Sequence, residues 1–185
     1  MRLRYFGIIL LGLSLYFTAC QQEAEPTHPV VEATYSPPFD KYEGAQWQKL
    51  DSTPVNKRYA ANLNGEYIIK WVWYKKDKPI REYIEINKKR DGISKEYFDN
   101  GNVAKLAQYV QGKKTGVEYE WYPTGELKSL TTYLKNARTG EFMGWYKSGK
   151  MMYNGYLIDG LPREPITRWT EDGKVKKDGD GGKKK

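Results

Sequence analysis

The chain has 185 residues with a formal net charge of +8, and its aromatic residues are 6 Trp, 16 Tyr and 5 Phe. This length suits one domain with flanking segments, and so high an aromatic content argues against a chain that is disordered throughout. The single Cys and single His exclude an internal disulfide framework, a Cys-based zinc site and a multi-histidine site. We therefore expect no metal and no cofactor.

Residues 1–19 have the three parts of a secretory signal peptide. Arg2 and Arg4 precede an apolar run over residues 5–17, and Thr18 and Ala19 end it with small residues. The run is too short for an ordinary transmembrane helix, which needs about 20 residues. We therefore predict that residues 1–19 are removed and that the protein is exported.

The sequence around Cys20 resembles a bacterial lipobox. The matching residues are Phe17-Thr18-Ala19-Cys20, with alanine directly before the cysteine. The resemblance implies that Cys20 is lipidated and anchors the protein to a membrane of the cell envelope. Gln21 resembles the default signal for the outer membrane. Because an exported protein rarely meets nucleic acid, we interpret the positive charge as a solvated surface and expect no nucleic-acid partner.

The segments that flank the central region lack an apolar pattern. Residues 20–43 contain several acids and four prolines, a composition that predicts a flexible linker after the lipidated cysteine. His28 lies in this linker, and a catalytic His must be held close to its partner, so we expect no catalytic role for it. Residues 176–185 contain Lys, Asp, Gly and no apolar residue, which predicts a disordered basic tail.

Residues 44–175 repeat with a period of 24 residues. A series of turn glycines follows this spacing: Gly101, Gly125, Gly149 and Gly173. Aromatic pairs such as Trp121-Tyr122 precede the turns at the same spacing. Two further series are Gly92, Gly116 and Gly140, and the turn residues Gly112, Asn136 and Gly160. A fixed period of this size indicates a repeat architecture.

The chemistry of each repeat predicts a β-hairpin. Pro123-Thr124-Gly125 fits a three-residue loop, in which a type I turn is closed by a glycine in the left-handed region. The flanking segments are rich in residues that favour strands. We predict an all-β fold: one elongated antiparallel meander sheet of about four to six hairpin repeats. Weaker repeats extend towards residue 44, with Asp77 in place of a turn glycine and Asn64-Gly65 as a turn.

The aromatic residues should lie on both faces of this sheet. Alternation along the strands places one series on one face and a second series, with Phe98, on the other. Because an exposed aromatic strip often marks a binding surface, both series are candidate partner-binding residues. They are Tyr97, Trp121, Trp145 and Trp169 in the first series, and Tyr122 and Tyr146 in the second. Four lysines should border them: Lys105, Lys128, Lys147 and Lys150.

The period and motif together resemble the MORN-repeat variant found in YwqK-like antitoxin proteins. The matching pattern over residues 92–173 is a glycine, an aromatic pair, a turn glycine, a tyrosine and a second turn residue. The resemblance implies a non-catalytic β-hairpin repeat protein that binds a protein partner, with an antitoxin- or immunity-like role. The alternative is binding of envelope glycan or anionic lipid.

Catalysis is the third and least favoured alternative. No nucleophile-elbow, phosphate-loop, zinc-protease or calcium-loop pattern is present. Glu118 with Glu120, or Glu126 with Glu141, could pair as the two carboxyls of a hydrolase. These acids are more simply interpreted as solvated strand and turn residues, so we expect that the protein is not an enzyme.

Overall fold

The structure is a computed structural model that describes residues 41–176, and its regular elements are all strands. They are β1 (Gln48–Ser52), β2 (Asn56–Leu63), β3 (Glu66–Lys75), β4 (Lys78–Ile86), β5 (Lys89–Arg90), β6 (Gly92–Tyr97), β7 (Val103–Val110), β8 (Lys113–Lys114), β9 (Gly116–Trp121), β10 (Leu127–Leu134), β11 (Ala137–Trp145), β12 (Met151–Ile158), β13 (Leu161–Pro162) and β14 (Thr167–Arg168). Within this range no helix is long and apolar enough to cross a membrane. The predicted signal peptide, Cys20, His28 and residues 177–185 of the predicted tail lie outside the described residues.

The strands form one open antiparallel sheet in which neighbours in the chain are neighbours in space. Its order is β1-β2-β3-β4-β6-β7-β9-β10-β11-β12-β13, with β5, β8 and β14 as short side pairings on β4, β7 and β12. This arrangement confirms the predicted all-β meander. Every connection is local, because each hairpin is closed by its own turn.

The predicted three-residue loops are present at one end of the repeats. The Gly101 N–H donates to the Phe98 carbonyl and the Phe98 N–H donates to the Asn102 carbonyl, both at 2.9 Å. The same two bonds recur in the loops that end at Gly125, Gly149 and Gly173. Gly101 has φ +92°, a left-handed conformation that strains residues with a side chain. The glycine series is therefore required by the loop geometry.

The opposite end of each repeat is closed by a two-residue turn. Gln111-Gly112, Lys135-Asn136 and Asp159-Gly160 all have positive φ, as does the predicted turn at Asn64-Gly65. Two consecutive residues with positive φ form the type I′ turn that matches the twist of a hairpin. Lys76-Asp77 adopts this turn as well, where the repeat pattern has a three-residue loop. In the weak repeat that ends at Lys76-Asp77, this loop is therefore one residue shorter than in the later repeats.

Strand register assigns side chains to two faces, because directly paired residues point the same way. The core face contains Val72, Glu82, Lys95, Leu106, Tyr119, Leu130 and Met143, which pair in a row from β3 to β11. The charged face contains the neighbouring row, Arg81, Glu96, Lys105, Glu120, Ser129, Gly144 and Tyr153.

Apolar packing follows the core face as three clusters. Tyr42, Ala61, Ile68, Ile84 and Ile86 form the first. Ile93, Leu106 and Tyr119 form the second, and Trp145, Met151 and Trp169 form the third. Each cluster combines strands of successive hairpins, because one hairpin cannot bury its own apolar face. The packed part of the chain includes Tyr42, which lies within the segment that the sequence analysis assigns to the linker.

Hydrogen bonds between repeats reinforce the two-residue turns. The N–H groups of Gly112, Asn136 and Gly160 donate to the carbonyls of Arg90, Lys114 and Arg138, at 2.7, 2.9 and 2.8 Å. A second series is made by side chains. Asp91, Thr115 and Thr139 accept from the backbone N–H of Gln111, Lys135 and Asp159, at 2.9, 3.4 and 3.2 Å. Each turn is thus attached to the preceding one.

Candidate binding surfaces

Tyr97, Trp121, Trp145 and Trp169 share the core face, as the alternation predicted. Trp145 and Trp169 are only 2% and 6% exposed, and they pack together in the third cluster. Trp121 is half-buried and stacks on Tyr119, with ring centroids 5.9 Å apart. The two buried tryptophans therefore supply packing, and a role in partner binding stays a prediction for the series.

The second predicted series connects the repeats. The Tyr122 hydroxyl donates to the Trp145 carbonyl at 2.9 Å, and the Tyr146 hydroxyl donates to the Trp169 carbonyl at 2.8 Å. Each hydroxyl therefore connects the loop of one repeat with the strand end of the next. Partner binding by Tyr122 and Tyr146 also remains a prediction.

The four lysines expected beside the aromatic series lie in different places and have different partners. Lys105 and Lys128 reach Glu120 on the charged face, at 2.7 and 3.7 Å. Lys150 donates to the Glu171 carbonyl at 2.9 Å, and Lys147 is exposed in its loop. They do not form one border around the tryptophans, because alternation sends strand lysines to the opposite face.

A concave surface on the core face, here called the aromatic groove, lies at the N-terminal end of the sheet. It encloses about 370 Å³ and is lined by Trp47, Tyr59, Lys70, Val72, Tyr74, Pro79, Glu82, Tyr97 and Gly101. Its four aromatic side chains are half-buried and come from different strands or from the segment before β1. Tyr97 is the member of the predicted series that lines it.

The polar groups of the aromatic groove are held in one arrangement. The Tyr97 hydroxyl donates to Glu82 Oε1 at 2.8 Å, and Lys70 and Lys95 each lie 3.4 Å from a Glu82 oxygen. Burial would raise the pKa of Glu82, but the charge of Lys70, the Tyr97 hydrogen bond and Lys95 together lower it. Burial and the Glu82 contact raise the pKa of Tyr97. At neutral pH the groove therefore holds an ionised carboxylate and a protonated phenol.

A second concave surface, here called the charged-face cavity, lies near the C-terminal end. It encloses about 400 Å³ and is lined by Glu118, Glu120, Ser129, Thr131, Tyr133, Arg138, Phe142, Tyr153, Leu157, Gly160, Pro162 and Ile166. The chain after β12 provides one wall. The two candidate carboxylates, Glu118 and Glu120, thus lie together on one sheet face.

Both carboxylates are matched with cations. Glu118 is buried and contacts Lys114, with the Tyr133 hydroxyl 3.3 Å away. Burial would raise the pKa of Glu120, but the hydrogen bond from Lys105 and the charges of Lys105 and Lys128 lower it. A hydrolase needs one carboxyl with a raised pKa as proton donor, so this environment disfavours Glu120 in that role. Among residues 41–176, no three His, Cys, Asp or Glu side chains group as a metal site.

An interlocked pair of rings on the charged face is a feature that the sequence analysis missed. Phe142 pairs with Gly155, and Tyr153 pairs with Gly144. A Cβ added to Gly155 would lie 2.5 Å from the Phe142 ring, and one added to Gly144 would overlap the Tyr153 ring. Each ring therefore approaches the opposite glycine more closely than a side chain there would allow. Gly144 and Gly155 belong to none of the three series of turn and strand glycines, and that irregularity is the signal the sequence offered.

Comparison with known proteins agrees with the repeat assignment. The family model described as "MORN repeat variant" matches residues 90–111 and 114–135. These two segments run from β5 to the turn after β7, and from the end of β8 to the turn after β10. The matched repeats support a non-catalytic repeat protein. A search of the curated proteins finds no match.

Two solved structures share only remote similarity with the chain. One is a point mutant of S. aureus TarM in complex with fondaparinux, alpha-GlcNAc-glycerol and UDP, with 11% identity and a TM-score of 0.26. The other is a crystal structure of TarM, with 11% identity and a TM-score of 0.25. In both cases the similarity covers 63% of this chain and 20% of that chain, so this chain spans about a fifth of their length.

Proposed function

We propose that the protein is a lipid-anchored, exported repeat protein that binds a polypeptide partner through the aromatic groove and catalyses no reaction. The observation that carries this proposal is the convergence of Trp47, Tyr59, Tyr74 and Tyr97 around Glu82. Aromatic side chains around a few fixed polar groups are typical of the centres of protein interfaces.

The surroundings of the groove favour a polypeptide over other ligands. In the described part of the chain, β1 pairs only with β2, so its outer edge offers backbone donors and acceptors. All five residues of β1 are exposed, and Leu50 within it and Val55 after it are exposed apolar residues. A polypeptide can add a strand to such an edge and place side chains in an adjacent groove.

The cellular setting rests on the N-terminal sequence. Cys20 would carry the lipid, residues 21–40 would separate the domain from the membrane, and the outer membrane is the proposed location. An antitoxin- or immunity-like role fits a non-catalytic binder that meets its partner outside the cytoplasm, and it rests on analogy with the repeat family. A toxin encoded by a neighbouring gene would identify the partner.

Binding through the groove is tested with one variant and one matched control. The purified full chain is immobilised, and solubilised envelope extract is passed over wild type, Tyr59→Ala and Tyr67→Ala. Tyr67 is 57% exposed and lies outside the groove. We expect one polypeptide to be retained by wild type and Tyr67→Ala and lost from Tyr59→Ala, and the purified polypeptide to repeat this order in titration calorimetry.

Two results would contradict the proposal. One is that no polypeptide is enriched over bare support, and the other is that Tyr59→Ala retains the partner as well as wild type does. Circular dichroism and thermal unfolding must show that the variants are folded. A Trp145→Ala variant is unsuitable here, because truncating so buried a ring costs about 3 to 5 kcal/mol of stability.

The anchor is tested separately by metabolic labelling with a fatty-acid analogue. We expect label on the wild-type chain and none on Cys20→Ser, with the variant released from the membrane fraction. Label that persists on Cys20→Ser would refute the lipobox assignment without affecting the groove.

A further inference from the structure

We propose that the charged-face cavity is a binding site for a neutral sugar ring, distinct from the polypeptide groove. It lies on the opposite face of the sheet and nearer its other end, so either site can be tested without the other. Its volume of about 400 Å³ is within the range of small-ligand sites, about 300 to 1,000 Å³.

The rings of the cavity are positioned to receive a flat apolar surface. Phe142 and Tyr153 lie on the backbone at Gly155 and Gly144, with ring centroids 5.7 Å apart. Both rings also line the cavity, so a ligand there can contact them. A pyranose ring has a face of C–H groups, which can pack on such aromatic surfaces.

The polar groups of the cavity suit hydroxyls. Glu118 and Glu120 supply charged acceptors, and a hydroxyl that donates to a carboxylate makes a short and strong hydrogen bond. Ser129 and Thr131 can both donate and accept, and Arg138 supplies guanidinium donors. A sugar ring carries several hydroxyls that donate and accept at once, which matches acceptors and donors placed around one cavity.

Glu118 and Glu120 disfavour an anionic group on their side of the cavity. The lysines nearest the carboxylates are already in ion pairs: Lys114 with Glu118, and Lys105 and Lys128 with Glu120. A phosphate or carboxylate entering the cavity would meet the two glutamates, and like charges disfavour one another. A neutral ring avoids this repulsion and still uses every polar group described above.

The test uses saturation-transfer NMR on the purified full chain. The probes are neutral oligosaccharides of glucose, galactose, mannose and N-acetylglucosamine, with the corresponding monosaccharides as a second arm. The variants are Arg138→Gln, which removes guanidinium donors, and Thr131→Val, which removes a hydroxyl and keeps the side-chain shape. The control is Arg81→Gln, an exposed arginine on the same face that pairs with Glu96 at 3.3 Å, outside the cavity.

We expect transfer to the ring protons of at least one probe and about tenfold weaker binding to Arg138→Gln, with Arg81→Gln unchanged. Binding of oligosaccharides but not monosaccharides would assign the site to a polysaccharide chain, and binding of both to a single ring. The proposal is overturned if no probe shows transfer at millimolar concentration. It is also overturned if both cavity variants bind the sugar like wild type, or if Arg81→Gln weakens sugar binding as much as Arg138→Gln does. Tyr59→Ala should leave sugar binding unchanged, so failure of either proposal is distinguishable from failure of the other.

Discussion

Asp91 is the residue whose replacement tests the account of how the repeats are connected. Its carboxylate is 2% exposed and accepts from the Tyr42 hydroxyl and the Gln111 N–H, both at 2.9 Å, and it pairs with Lys41. It therefore joins the segment before β1 to the turn after β7. Asp91→Ala removes these contacts and leaves the buried Tyr42 hydroxyl without this acceptor.

The expected loss of stability in Asp91→Ala follows from the number and kind of the hydrogen bonds that it removes. Hydrogen bonds to a charged group contribute about 1.5 to 3 kcal/mol each, and they do not add fully. The Lys41 ammonium is half exposed and can be solvated by water instead, so losing its ion pair with Asp91 adds little to the cost. We expect Asp91→Ala to lower the free energy of unfolding by about 3 kcal/mol.

Thr115→Ala is the matched control, because Thr115 occupies the equivalent position one repeat later. Its hydroxyl accepts from the Lys135 N–H and donates to the Lys113 carbonyl, both at 3.4 Å and both exposed to water, so its replacement should cost less than about 1 kcal/mol. Both variants are measured by urea unfolding, with amide hydrogen exchange to locate the change. In a linear repeat protein we expect faster exchange in β2–β4 for Asp91→Ala. If Asp91→Ala costs no more than Thr115→Ala, the reasoning is refuted.

Three further predictions concern contacts between segments that are far apart in the chain. Gly92→Ala should be more destabilising than Gly125→Ala in urea unfolding. Both glycines have positive φ, but a Cβ at Gly92 would lie 2.7 Å from the Tyr42 ring, whereas a Cβ at Gly125 would have no neighbouring atom within 4 Å. Equal losses of stability in the two variants would contradict the packing of Tyr42. Burial would raise the pKa of Asp91, but its bonds with Lys41, the Gln111 backbone and Tyr42 lower it, so this carboxylate stabilises the fold above its unfolded pKa and stops doing so as pH falls through the folded value. Between about pH 5 and pH 2, the free energy of unfolding should fall less in Asp91→Asn than in wild type. Parallel falls in the two proteins would contradict a stabilising role of the Asp91 charge. Tyr146→Phe should cost about 1 kcal/mol in the same assay through its bond to the next repeat, whereas a cost near zero would mean that water replaces the bond.

The repeat and its turns could be predicted because they depend on local chemistry. A left-handed position in a three-residue loop favours glycine, so Gly101, Gly125, Gly149 and Gly173 indicate the loops from the sequence alone. Alternation along a strand placed Tyr97 and Trp145 on one face for the same reason. The shorter turn at Lys76-Asp77 could not be foreseen, because aspartate is compatible with several turn types.

The binding surfaces depended on contacts between residues far apart in the chain. An aromatic residue at a strand position can be buried or exposed, and only the packing of neighbouring repeats decided that Trp145 is covered while Tyr97 lines a groove. The inclusion of Tyr42 in the core likewise required Asp91, which is 49 residues away. By itself the sequence determined the period, the turns and the two faces, since these follow from backbone conformation. The tertiary structure alone decided which rings remain accessible, because exposure is a property of the assembled sheet.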